Sequence, residues 1–219
     1  MIFVNFKAYK EGSGEEALAL AKTLESVSTD SNIKIIPCVN AIDLKEVSTN
    51  LSLEVWAQNI DPDSYGAHTG SVLAEEILEA SAKGTLLNHS EHKFQNFDDL
   101  KSANQKALEL GLKTLIFAGS LEELTKICEL SPTYASYEPA ELIGSTTASV
   151  ATAQPEIIAK AVEITKRVGI PLIVGAGIHS QDDIRKSREL GAVGVAVATN
   201  IVKAQDPKKA LMELVEGFK

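Results

Sequence analysis

The stretch PEIIAKAVEITKRVGIPLIVGAGIHSQDDIRKSRELGAVGVAVA, residues 155–198, decides the fold. It contains one pattern twice: an amphipathic segment that starts with proline or with Ser-Gln-Asp-Asp, then a glycine, then a short apolar run. The two copies are 155–168, Gly169 and Leu172–Val174, followed by 180–190, Gly191 and 193–198. Proline, serine and aspartate are typical of the start of a helix, and glycine of its end. The stretch therefore predicts two helices that each lead into a strand.

The same alternation runs along the chain from residue 2 onward. Eight apolar runs predict strands at Ile2–Asn5, 33–39, 54–58, 85–88, 113–117, 133–137, Leu172–Val174 and 193–198. Amphipathic segments between them predict helices at 15–27, 98–110, 155–168, 180–190 and 206–218. Strands that alternate with helices form a parallel sheet. Eight such units predict closure into a (β/α)8 barrel, a single domain of residues 1–219.

The competing architecture is a doubly wound open sheet, which usually has fewer strands and a glycine-rich turn after the first one. Here the first strand leads into Asn5-Phe6-Lys7 instead. Gly175-Ala176-Gly177 follows the seventh strand and lacks the third glycine of a dinucleotide fingerprint. The sequence therefore favours the barrel and does not support a dinucleotide cofactor.

The composition restricts the partners. The 21 Lys and Arg against 30 Asp and Glu give a net charge of −9, which argues against nucleic acid as a partner. No apolar run is long enough for a signal peptide or a membrane span. Cys38 and Cys128 lie in unrelated segments without a metal-like spacing. We therefore expect a cytoplasmic protein with reduced cysteines and no membrane contact.

Polar side chains at the carboxyl ends of barrel strands are the candidates for chemistry. Lys7 follows the first strand and offers a fixed cation to a phosphate or a developing oxyanion. His89 follows the fourth strand and can polarise a carbonyl group by hydrogen bonding. A metal pair of His89 with His92 is the weaker alternative, because residues three apart at a strand end do not share a face as they do on a helix. His92 and Lys93 are expected to face solvent.

Glu138 ends the sixth strand beside Pro139, which stiffens the exit, and is a candidate general base. The long segment 138–154 predicts a lid, with Leu142 and Ile143 covering a ligand and Gly144 as part of a hinge.

The loops after the last two strands predict a phosphate site. They contain Gly175-Ala176-Gly177 and Ala198-Thr199-Asn200, whose small residues let backbone N–H groups approach an anion. Barrels of this class commonly bind phosphate at this pair of loops. Two tight turns without a ligand are the alternative.

Five segments in register carry a resemblance that covers the chain from residue 2 to its C-terminus. They are Asn5-Phe6-Lys7; Ala57-Gln58-Asn59 with Gly66-Ala67-His68-Thr69-Gly70; Asn88-His89-Ser90-Glu91; Tyr137-Glu138-Pro139 with Leu142-Ile143-Gly144; and Gly175-Ala176-Gly177. Together they resemble the triosephosphate isomerase family, whose fold is the TIM barrel. The short length, the E-P-x-E-L-I-G segment and the G-A-G turn resemble its compact archaeal form.

The resemblance, and not the spacing, implies a mechanism. Glu138 would take the proton next to the carbonyl of dihydroxyacetone phosphate and return it to the neighbouring carbon. His89, neutral at a helix N-terminus, would polarise the carbonyl and move protons between the two oxygens. Lys7 and Asn5 would bind the substrate and stabilise the enediolate.

The resemblance also implies the rest of the site and the partners. The phosphate would lie against the backbone of Ile143, Gly177, Ala198 and Thr199, and the supporting residues would be Glu91, Ser90, Gly144 and Gly175. No metal or organic cofactor would be needed for this reaction of glycolysis and gluconeogenesis. The loop around Thr69 would insert into a neighbouring subunit, which implies a homodimer or homotetramer.

Two segments depart from the family pattern, and two other functions remain open. Ser145-Thr146-Thr147 replaces the usual Thr-Gly behind the lid, and Ala198-Thr199-Asn200 replaces small Ser or Gly residues. Another phosphate-binding barrel enzyme could use Lys7 as a Schiff-base lysine. A barrel that binds without catalysing is the third possibility. The joint presence of Asn5, Lys7, His89 and Glu138 favours the isomerase.

Overall fold

Eight parallel strands form a closed barrel in chain order, with the first strand paired to the last. This computed structural model describes residues 1–139 and 155–219. The strands are β1 Ile2–Asn5, β2 Ile35–Val39, β3 Trp56–Ala57, β4 Gly84–Leu87, β5 Lys113–Ala118, β6 Tyr134–Tyr137, β7 Leu172–Val174 and β8 Gly194–Val197. Each lies in or overlaps a predicted strand, and the predicted (β/α)8 barrel is confirmed.

Helices surround the barrel. In the described ranges they are α1 Glu15–Ser31, α2 Leu44–Thr49, α3 Ala74–Glu79, α4 Phe97–Glu109, α5 Leu121–Cys128, α6 Pro155–Arg167, α7 Gln181–Glu189, α8 Thr199–Val202 and α9 Pro207–Val215, with 3₁₀ turns at Lys10–Gly12 and Glu216–Phe218. The predicted terminal glycines Gly111, Gly169 and Gly191 have φ of 79°, 73° and 106°, the left-handed region expected there. None of these helices is long and apolar enough to cross a membrane.

Helix α1 is longer than predicted. The apolar stripe ends at Val27, but the helix continues to Ser31. The hydroxyls of Thr29 and Ser31 donate to carbonyls one turn back, at 3.0 and 2.6 Å, and Asn32 ends the helix in the left-handed region. Periodicity of apolar residues cannot detect a last turn that is polar.

The barrel interior is filled by large apolar side chains. They are Phe3, Ile36, Cys38, Trp56, Leu86, Leu115, Phe117 and Ile173. Trp56 fits against Gly84 on the paired strand, where a Cβ atom would lie 2.6 Å from the indole ring. A filled interior is not a pore, so a ligand can reach the barrel only at its ends.

Strand parity places the polar residues at the mouth of the barrel. Side chains two apart on a strand share a face. Phe3 faces the interior, so Asn5 does as well; Tyr134 packs on the interior cluster, so the same face continues to Glu138. The predicted site residues of these two strands therefore converge at the carboxyl end.

Candidate active site

A pocket of about 200 Å³ opens at the carboxyl end of the barrel. Its walls come from the carboxyl ends of β1 and β8, from the segments that follow β1, β4, β6, β7 and β8, and from Phe117 of β5. Seven residues singled out from the sequence line it: Asn5, Lys7, His89, Glu138, Gly177, Ala198 and Thr199. The structure thus brings together side chains that are up to 194 residues apart in the chain (199 − 5).

Glu138 extends into the pocket from the end of β6. Its backbone N–H donates to the carbonyl of Ala118 at 2.9 Å, and its side chain is 11% exposed. Burial raises the pKa of the carboxyl to about 7, while the charge of Lys7 and the N–H of Ala176 act in the opposite direction. Oε2 accepts no hydrogen bond from the described residues. A buried carboxylate with one uncommitted oxygen is well suited to accept a proton.

Gly175 gives the Glu138 carboxylate its space. A Cβ atom at this position would lie 2.6 Å from Oε1 of Glu138, closer than real side chains come. A residue larger than glycine at this position would therefore push the carboxylate away.

His89 faces Glu138, with Nε2 at 3.5 Å from Oε2. Its Nδ1 accepts the backbone N–H of Glu91 at 3.2 Å, so the ring proton is assigned to Nε2, on the pocket side. Phe117 packs edge-on against the ring, with centroids 5.0 Å apart. Burial lowers the pKa of His89 to about 4; Glu91 opposes this effect and Lys7 adds to it. The imidazole is therefore neutral at neutral pH.

The prediction that His89 lies at a helix N-terminus is wrong. A single turn follows it, in which the N–H of His92 donates to the carbonyl of His89 at 2.8 Å. Helix α4 starts only at Phe97, where the side chain of Asn96 accepts the N–H of Asp99 as the cap. Burial and the charge of Lys7 both lower the pKa of the imidazole.

Lys7 is held by both its backbone and its side chain. It has a left-handed φ of 50°, which the Asn5 side chain stabilises by accepting its N–H at 2.9 Å. Gln58 donates to its carbonyl at 3.0 Å. Its Nζ donates to Glu91 at 2.8 Å, and the Lys7 side chain is 13% exposed. Asn5 and Glu91 therefore position the cation, one through the backbone and the other through the ammonium group.

The loops after β7 and β8 meet at the other side of the pocket. Ala176 and Gly177 both have left-handed φ, 64° and 69°. The side chain of Asn200 donates to the carbonyl of Ile178 at 2.8 Å and ties the two loops together. Helix α8 starts at Thr199, so its first N–H groups lie beside the pocket.

The remaining predicted residues have different positions. Ser90 and Glu91 lie on the exposed turn after β4, and His92 and Lys93 are exposed as predicted. Thr69 lies in the exposed segment 64–70. Ile143, Gly144 and Ser145-Thr146-Thr147, and with them the predicted lid, lie outside the described residues. In residues 1–139 and 155–219, no three His, Cys, Asp or Glu side chains are grouped so that they could hold a metal ion.

Several residues of the site were not given a role from the sequence. Gln58 follows β3 directly, so the rule that selected Lys7 would have found it as well. Asn200 lies within α8, three residues after β8, and the sequence indicated it only as part of the loop. Tyr9, whose hydroxyl lies 2.9 Å from that of Thr199, and His179, which lines the pocket, carry no comparable signal.

Fold and site together define a class: a (β/α)8 barrel with a carboxylate, a neutral imidazole and a lysine at its carboxyl end. The chain also matches the family model of triosephosphate isomerase over residues 1–217. It is 42% identical to the triosephosphate isomerase of Methanothermus fervidus over 217 residues, 98% of this chain and 97% of the relative. For that of Metallosphaera sedula the identity is 41% over 218 residues, 99% and 95% of the two chains. For that of Archaeoglobus fulgidus it is 38% over 217 residues, 98% and 96%. The chain therefore belongs to the triosephosphate isomerase family, and the resemblance found in its sequence is confirmed.

Proposed function

We propose that the protein interconverts dihydroxyacetone phosphate and D-glyceraldehyde 3-phosphate, a reaction of glycolysis and gluconeogenesis. The observation that carries this proposal is the pairing of a buried carboxylate with a neutral imidazole, Glu138 Oε2 and His89 Nε2 at 3.5 Å. An aldose–ketose isomerisation moves one proton between carbons and one between oxygens. It therefore needs a base and a neutral donor side by side.

Glu138 is the base that takes the proton from the carbon next to the carbonyl and returns it to the other carbon. Its oxygen without a hydrogen bond from the described residues is the acceptor for that proton. His89 presents Nε2–H to the carbonyl oxygen and stabilises the enediolate. Lys7 adds a fixed positive charge. Its Nζ is engaged by the Glu91 carboxylate at 2.8 Å, which supports an electrostatic role over a Schiff base.

The phosphate lies against the loops after β7 and β8, at the backbone of Gly177, Ala198 and Thr199. Left-handed residues and the first N–H groups of a helix both present donors to an anion. The family resemblance adds Ile143, which lies outside the described residues, to this set. Asn5 contributes by shaping the backbone of Lys7.

The same proposal covers the domain organisation, the cellular compartment, the cofactors and the assembly of the enzyme. The chain forms one barrel domain, acts in the cytoplasm without a metal or an organic cofactor, and assembles as a homodimer or homotetramer through the exposed loop around Thr69.

The test is a coupled assay with glyceraldehyde 3-phosphate, comparing the unmodified protein with Glu138→Asp. Aspartate keeps the charge and withdraws it by about one methylene, and a displacement of order 1 Å costs about a hundredfold in rate. We expect kcat to fall by about that factor. Glu122→Asp, on an exposed residue paired only with Lys126 among the described residues, is the control and keeps full activity. Full activity of Glu138→Asp would remove Glu138 from the mechanism, and no turnover by the unmodified protein would refute the isomerase.

A further inference from the structure

A polar cluster lies behind the pocket, outside the residues of the mechanism. Its centre is the carboxylate of Glu123, on the first turn of α5. Oε1 accepts the side-chain N–H of Asn88 at 2.9 Å, Oε2 accepts the backbone N–H of Gly119 at 2.8 Å, and Lys93 donates to both oxygens at 2.8 and 2.9 Å. Three donors from three segments thus converge on one carboxylate.

The backbone of Glu123 is itself fixed. Its N–H donates to the hydroxyl of Ser120, the N-cap of α5, at 3.1 Å. Although burial alone would raise the pKa of the Glu123 carboxyl, the hydrogen bonds from Lys93, Gly119 and Asn88 lower it. The group is therefore ionised over the working range of an enzyme, and all four of these hydrogen bonds are charge-assisted.

Asn88 connects this carboxylate to the imidazole. It immediately precedes His89 and has a left-handed φ of 59°, a conformation that costs energy unless its side chain is held. The same amide also donates to the carbonyl of Phe117 at 3.0 Å, and its oxygen accepts the N–H of Phe94 at 3.3 Å. Phe117 in turn packs on the His89 ring. The direction in which His89 leaves β4 therefore depends on Asn88, and Asn88 depends on Glu123.

Gly119 connects the same carboxylate to the base. It follows Ala118, whose carbonyl accepts the N–H of Glu138 at 2.9 Å. A Cβ atom on Gly119 would lie 3.8 Å from the Glu138 carbonyl and 3.6 Å from Oε2 of Glu123, so the two segments are in direct proximity. One side chain thus supports the backbone next to both reacting groups.

We propose that Glu123 is a positioning residue for the isomerisation: through Asn88 and Gly119 it fixes the separation of the His89 imidazole from the Glu138 carboxylate. This inference rests on the proposed function, since it assigns Glu123 to the same reaction. It predicts a loss in the chemical step and not in phosphate binding, because the loops after β7 and β8 have no part in the cluster.

The test compares Glu123→Gln with Glu122→Gln. Glutamine offers one accepting oxygen where three donors converge, and its amide N–H groups face the ammonium of Lys93. Glu122 is the adjacent residue on the same helix turn, 80% exposed, so its variant removes the same charge from the same helix end. For Glu123→Gln we expect kcat to fall by about tenfold or more with KM within about twofold of the unmodified protein. For Glu122→Gln we expect neither to change.

Two inhibitors separate positioning from general damage. 2-Phosphoglycolate imitates the planar enediolate and should bind about tenfold more weakly to Glu123→Gln, in step with kcat. Inorganic phosphate tests only the phosphate loops and should bind equally to all three proteins. If Glu123→Gln matches Glu122→Gln, or if it loses inorganic phosphate binding as much as kcat, the positioning role is refuted.

Lys93→Gln provides the second variant in case Glu123→Gln does not fold. It leaves Glu123 bound to Asn88 and Gly119, so we expect the same pattern with a smaller loss of kcat; an unchanged kcat would count against the proposal.

The imidazole NMR resonances of His89 give a readout that does not need turnover. If the unmodified protein is inactive, the isomerase proposal fails. A His89 shift in Glu123→Gln and none in Glu122→Gln would still support positioning, and no shift in either would overturn it.

Discussion

The pKa of the Glu138 carboxyl is set by effects that act in opposite directions. Burial disfavours its charged form, whereas Lys7 and the N–H of Ala176 favour that form, and the resulting pKa is about 7. The pKa of the neighbouring His89 is shifted in the opposite direction, to about 4, chiefly because burial also disfavours the charged imidazolium. The two groups are therefore ready as base and neutral donor over the same range of pH.

This arrangement predicts the pH dependence of the reaction. Only ionised Glu138 can accept a proton, so kcat/KM should fall about tenfold for each pH unit below about 7. His89 should cause no further change of kcat/KM with pH above about pH 5, because it is already neutral there. Steady-state assays from pH 5 to 9 measure the profile. Since a phosphate ester also titrates near 6, the ¹³C carboxyl resonance of Glu138 in the free protein identifies the group. A midpoint of that resonance near 4.5 would contradict the prediction.

At the scale of the elements, the strands could be predicted from the sequence, whereas the side-chain contacts between elements could not. Each strand is a short apolar run, and the polar residues at or just after the ends of β1, β4 and β6 identified Asn5, Lys7, His89 and Glu138. It could not find Tyr9, whose partner Thr199 is 190 residues away, or Glu123, whose partner Asn88 is 35 residues away. Such pairs form only when units that are distant in the chain have packed together.

The contact of Tyr9 joins two elements of the pocket. Its hydroxyl bonds that of Thr199 at 2.9 Å, so the segment that carries Lys7 is tied to the start of α8, at the phosphate end. Tyr9→Phe removes this bond, worth about 1 kcal/mol, and should raise KM about fivefold with little change in kcat. Thr199→Ser retains the hydroxyl and should behave like the unmodified protein. Steady-state kinetics of the two variants decide the matter: equal KM values would show that the bond does not support substrate binding.

At the scale of the whole molecule, the sequence predicted the closed barrel because eight alternations leave few other arrangements of a parallel sheet. It predicted helices outside the barrel but could not predict the course of a long loop, such as residues 59–73 between β3 and α3. Here Lys106 of α4 donates to the carbonyls of Pro62 and Asp63 and to the hydroxyl of Ser64. The carboxylate of Asp63 accepts the hydroxyl of Ser71 at 2.5 Å. The loop is therefore held at its base by the helix layer.

A loop that is fixed at its base and exposed at its tip is preorganised for binding. Residues 64–70 are all exposed, and Thr69 lies at this tip. If the tip inserts into a second copy of the chain, Thr69→Arg should place a bulky charge in that interface and shift the protein towards monomers. Thr29→Arg, the same change on an exposed position of α1, should leave the mass unchanged. Light scattering after size exclusion gives the masses. An unmodified protein that is already monomeric, or a Thr69→Arg variant of unchanged mass, would exclude assembly through this loop.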